Sequence, residues 1–141
     1  MRNPSASKMP ASRRRLLVGL ALALGTLAGG ARAAGDEALP LEAARDALAS
    51  GRAVVIDIRE PDEHARGVAP GMRLLPMSRI GQHLAEIPKD PKQPVLLVCN
   101  TQNRSKATAQ ALRERGWSNV RYVAGGMSEW TRRGWPLVAP R

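Results

Sequence analysis

The sequence predicts an α/β domain: a central parallel sheet with helices on both faces, in three layers. Three observations lead there. Two apolar runs, "AVVIDI" at residues 53–58 and "VLLVC" at 95–99, lack the polar alternation of a half-wet strand and read as strands buried on both sides. Segments of helical spacing lie between and after them, and such alternation belongs to a sheet covered above and below. The chain has 141 residues, enough for one domain with a modest core.

The first 33 residues stand apart. A basic start is followed by an uncharged apolar run over residues 16–31, closed by Arg32 within Ala31-Arg32-Ala33. This is the layout of a secretory signal peptide with an A-x-A cleavage site. The run is 16 residues long, shorter than the ~20 that span a bilayer. Ser12-Arg13-Arg14-Arg15-Leu16-Leu17 also resembles a twin-arginine export signal. The expectation is a domain at residues 39–139 that meets the membrane only during export and works in the periplasm or outside the cell.

Removing residues 1–33 takes away six positive charges and no acids, so the net charge falls from +10 to +4. The remaining arginines are interleaved with acids, and the chain has three Trp, one Tyr and no Phe. No basic–aromatic stripe results, which argues against a nucleic-acid partner. The sequence leaves the oligomeric state open.

Along the domain, "PLEAARDALASG" carries Leu41, Ala44 and Leu48 at helical spacing, with Pro40 before and Gly51 after. The strand at 53–58 follows. "EPDEHARG" reads as a short helix with Pro61 in its first turn and acids at its start. "MRLLPM" is a brief strand, and "SRIGQHLAEI" an amphipathic helix capped by Ser78. Three prolines make "PKDPKQP" a turn. After the strand at 95–99 comes a polar loop, then a helix from about Ser105 to Arg115 stopped by Gly116. "NVRYV" is a strand, "GGMSEWTRRG" a glycine turn and short helix, and "WPLV" closes the fold.

The single cysteine is the chemically telling residue. Exported proteins usually pair their cysteines, and one alone closes no internal disulfide. Cys99 ends a central strand, and open α/β sheets gather their ligands at the carboxyl ends of strands. The loop after it feeds a helix N-terminus, whose unpartnered N–H groups bind anions and favour thiolate. Arg104 and Lys106 are candidate cations. The residues by themselves thus point to a loop thiol acting as a nucleophile in an anion pocket. With one Cys and two separated His, no metal site is expected, and His64 and His83 are expected on the surface.

Three motifs carry a family resemblance: D-x-R-E at residues 57–60, C-x4-R-S at 99–105 and G-G-M-x-x-W at 125–130. Together they resemble a single-domain rhodanese over about residues 41–138. The resemblance implies that Cys99 takes sulfane sulfur from a small anionic donor such as thiosulfate, holds it as a persulfide, and passes it to cyanide or a thiol, with no cofactor. It also implies that the N–H groups of Asn100, Thr101, Gln102, Asn103, Arg104 and Ser105 hold the donor, that Arg104 adds charge, and that Asp57 and Arg59 brace the strand ends. Related phosphatases have C-x5-R, a longer loop suited to phosphate. Two departures from the family pattern are Gln102, where glycine is common and a side chain is expected to narrow the pocket, and Val68, where histidine is common. The other reading is a rhodanese-like binding or sulfur-relay module with little turnover.

Overall fold

A computed structural model of the chain describes residues 38–141. The expected leader lies outside the described residues. Four parallel strands form one sheet: β1 (Val54–Asp57), β2 (Arg73–Leu74), β3 (Val95–Val98) and β4 (Val120–Tyr122), in the order β2-β1-β3-β4. The helices are α1 (Leu41–Ala49), α2 (Pro61–His64), α3 (Asn103–Glu114) and α4 (Gly126–Arg132).

Every residue of β3 is buried, as a strand between two covering layers requires. Side chains alternate along a strand, so the two faces sort cleanly. Ile56, Ile58, Val95, Leu97 and Cys99 pack with Ala109 and Leu112 of α3 on one face. Val55, Leu96 and Val98 pack with Leu41 and Ala44 of α1 and Met127 and Trp130 of α4 on the other. The same period puts the Cys99 side chain on the α3 face. Register aligns Asp57 with Val98, so β1 and β3 end side by side.

The structure departs from expectation in three places. The amphipathic segment after β2 is not one α-helix but two 3₁₀ turns, Met77–Gln82 and Leu84–Glu86. Ser78 does not cap it: its N–H and hydroxyl both donate to the Glu60 carboxylate, at 3.0 and 2.7 Å. That pairing spends the side chain on another element, so a longer helix loses its N-terminal partner. The helix after Cys99 begins at Asn103, two residues earlier than expected. His64 is buried rather than on the surface, with Nε2 3.4 Å from Asp57 Oδ1. Histidine in a short polar segment is usually exposed, but the short helix turns it inward against the end of β1.

At that strand end Asp57 is fully buried and Arg59 nearly so. Asp57 Oδ1 accepts from the Arg59 N–H and Nε, each at 3.0 Å, and Oδ2 accepts from a terminal nitrogen at 2.7 Å. The same terminal nitrogen donates to the Gly67 carbonyl at 2.9 Å. A buried charge pair of this kind is tolerable only when its partners are matched. Asp57→Ala, which strands the Arg59 charge, should lower unfolding free energy by about 3–5 kcal/mol in urea titration. A loss below about 1 kcal/mol would mean that the pair does not hold this corner.

Candidate active site

β3 delivers Cys99 to the carboxyl edge of the sheet, yet the residue is only 1% exposed. It is therefore not an open loop thiol but a sulfur at the floor of the loop. The burial follows from its place on the α3 face, beneath the helix start. The Ser105 N–H donates to Sγ at 3.4 Å, and the Ser105 hydroxyl lies 3.4 Å from it. That hydroxyl also donates to the Gln102 carbonyl at 3.1 Å, folding the loop back over the sulfur. Asn100, Thr101, Gln102 and Asn103 are exposed around the rim, Arg104 is half-buried and Ser105 is buried.

What orients the loop is α4. Its Met127 N–H donates to the Cys99 carbonyl and its Ser128 N–H to the Asn100 carbonyl, each at 2.9 Å. In a trans peptide the C=O and the following N–H point in opposite directions. With the carbonyls drawn towards α4, the amides of Asn100 and Thr101 turn away from it. The helix end meets its own unpartnered donors in the same contacts. Gly126 makes the approach possible: a Cβ there would lie within 3.0 Å of the carbonyl oxygens of Cys99, Asn100 and Thr101. Its φ of 57° and that of Gly125, 79°, also suit glycine.

Gln102 has a φ of −155°, outside the left-handed region that favours glycine. Its Oε1 accepts from the Gly125 N–H at 3.3 Å. The side chain thus lies back against the α4 cap, where the sequence suggested that it narrows the pocket.

Arg104 has a partner that sequence reasoning missed. Its two terminal nitrogens donate to the two carboxylate oxygens of Glu63, both at 2.7 Å. Glu63 Oε2 also accepts from the Glu60 N–H at 3.0 Å, and Glu60 holds Ser78. A chain of contacts therefore links α3, α2 and the first 3₁₀ turn. The Arg104 guanidinium holds the Glu63 carboxyl down at about 2, and Glu63 in turn raises Arg104 above its usual range. The available signal was the spacing of Glu60 and Glu63, a reciprocal cap around Pro61. Nothing local in the sequence tied that cap to a helix some 40 residues further on. Asp57 and Arg59 lie beside this network, since an Arg59 terminal nitrogen reaches the Glu63 carbonyl at 3.4 Å.

Among the described residues, no group of three His, Cys, Asp or Glu side chains is placed to hold a metal. The arrangement is a single thiol, with hydrogen-bond donors on one side and apolar core on the other.

Residues 40–133 match the family model described as "Rhodanese-like domain". The chain is 38% identical over 87 residues to a protein of Allochromatium vinosum named "Sulfurtransferase", covering 62% of this chain and 79% of that one. Among solved structures it is similar to the human single-domain sulfurtransferase, at 29% identity and a TM-score of 0.60, over 68% of this chain and 96% of that one. It is also similar to a "Thiosulfate sulfurtransferase" from Pseudomonas aeruginosa, at 28% identity and a TM-score of 0.64, over 74% of this chain but 20% of that one.

The keying of the loop to α4 is testable with two alanine substitutions. Gly134 also has a positive φ, 65°, but nothing within 4 Å of an added Cβ. Gly126→Ala should therefore cost about 1–3 kcal/mol more than Gly134→Ala in thermal or urea unfolding. Equal costs would show that the loop yields to the methyl group and is not fixed by α4.

Proposed function

The chain belongs to the rhodanese-like domain family, and from that premise we propose that it is a sulfurtransferase carrying sulfane sulfur as a persulfide on Cys99. The observation that carries this reading is the seat of the sulfur at the end of β3. Sγ lies against the Ser105 N–H and hydroxyl, at the start of α3.

In the first step the Cys99 thiolate attacks the outer sulfur of a donor such as thiosulfate. The Sγ–S bond forms as the donor's S–S bond breaks, and sulfite leaves with the bonding pair. In the second step cyanide or a thiolate takes the outer sulfur, and the Sγ–S pair returns to Cys99. Charge balances in each step, and no external oxidant or reductant is required. This is covalent catalysis by an activated thiol. The N–H groups of residues 100–105 hold the donor's oxygens and then the persulfide, as preorganised dipoles at a helix start do for anions. The depth of Sγ favours small donors that fit between those groups.

On the same reading residues 1–33 are a cleaved leader, and the domain acts in the periplasm or outside the cell. Support comes from the charge layout of the sequence. Among the described residues no helix is long and apolar enough to cross a membrane.

Intact-mass spectrometry before and after thiosulfate, beside Cys99→Ser, tests the proposal. The expected result is a gain of one sulfur atom, cleared by cyanide with release of thiocyanate and absent in the variant. No adduct with thiosulfate or with a low-molecular-weight persulfide would overturn it and favour a binding module instead.

A further inference from the structure

The sulfur-transfer reading makes no use of Glu63, yet this residue occupies the one cation that the loop itself supplies. Both terminal nitrogens of Arg104 are committed to its carboxylate at 2.7 Å. Glu63 is anchored from behind by the Glu60 N–H, so it is not a loose surface partner. The side chains of Glu63 and Arg104 are 21% and 32% exposed, enclosed enough to keep the pair in register. Glu60 adds a second carboxylate to the same cluster, and Asp57 and Arg59 cancel each other beside it. Two acids thus stand against Arg104 at the edge of the cradle, and Lys106, one residue past the loop, is exposed to solvent screening.

This matters for which anion is welcome. The cost of desolvating an ion rises with the square of its charge, so a dianion needs cations where a monoanion manages with N–H dipoles. We propose that Glu63 is the residue that sets the charge of the accepted sulfur donor: by withholding Arg104 from the incoming anion, it tunes the site towards monoanionic donors, persulfide anions or thiosulfonates, over dianionic thiosulfate. With a persulfide donor, Cys99 thiolate takes the outer sulfur as the donor's S–S bond breaks, and a thiolate leaves with the pair, so charge again balances. The inference rests on the sulfur-transfer reading for its substrates, but the charge screening itself requires no turnover.

The test compares thiosulfate with methanethiosulfonate, which offers the same transferable sulfur with one charge fewer, cyanide being the acceptor. Glu63→Gln leaves Arg104 uncompensated and should raise the thiosulfate-to-methanethiosulfonate ratio of kcat/KM about tenfold, chiefly through the KM for thiosulfate. Arg104→Gln leaves Glu63 uncompensated and should move the ratio the other way, while Glu63→Asp, which keeps the charge, should hold it near that of the unaltered protein. Opposite movements from the two neutralising variants do not arise from a structural defect, and either variant serves if the other fails to fold. A ratio unchanged within about twofold in both, or equal losses for both donors, would make the pair a brace only and overturn the inference. A second arm uses sulfate and methanesulfonate, which transfer no sulfur, read as shifts in thermal midpoint at constant ionic strength. If neither donor turns over but Glu63→Gln increases the preference for sulfate, the screening stands and the sulfur-transfer reading falls. An unmoved preference there overturns the screening itself.

Discussion

The site depends on where the carbonyls of one short loop point. Had those of Cys99 and Asn100 faced the sulfur, their oxygens would repel any anion and any thiolate. They face α4 instead, each taken by an N–H at 2.9 Å. Helix and loop satisfy each other's unpartnered groups, which is why neither needs a side-chain cap. The fit is close enough that only glycine is accommodated at position 126, where any Cβ meets three carbonyl oxygens. A backbone constraint at the start of α4 thereby decides which way the dipoles of the loop point.

The opposite flank is held by charge. The buried Asp57–Arg59 pair closes the end of β1, and Glu60 and Glu63 extend from there to Ser78 and to Arg104 at the start of α3. Arg104 and Lys106 lie in the first turn of α3, which holds no acid. Basic residues there oppose the helix dipole. Glu63 relieves that conflict for Arg104, and in doing so takes the cation out of the cradle. The anion-binding capacity of the loop then resides in its backbone, with side chains setting its limits. Such a division suits a reaction in which charge moves between sulfur atoms without any net change.

Much of this was legible in the sequence. The uninterrupted apolar runs gave β1 and β3, and the order of strand, thiol and helix gave Cys99 its place at the carboxyl edge of the sheet. Gly116 at a φ of 97° ends the helix where a left-handed residue was expected. What escaped was set by contacts distant in the chain. Ser78 looked like a cap because it precedes an apolar segment, but Glu60, 18 residues earlier, claims it. His64 looked solvated because histidine in a short polar segment is usually exposed, while its ring lies against Asp57. Glu63 read as a helix-start acid, and only the packing of α2 against α3 gives it a role at the loop. Cys99 was read as a loop thiol, but a strand's last residue shares the burial of the strand.

The central claim is that backbone amides, not the Arg104 guanidinium, receive the anion. Amide and side-chain ¹H–¹⁵N chemical shifts during a sulfate titration of the ¹⁵N-labelled protein test it most directly. The account predicts saturable shifts concentrated in the amides of Asn100 to Ser105, with the Arg104 Nε–H scarcely moved. Shifts concentrated at Arg104, with the loop amides unmoved, would contradict it.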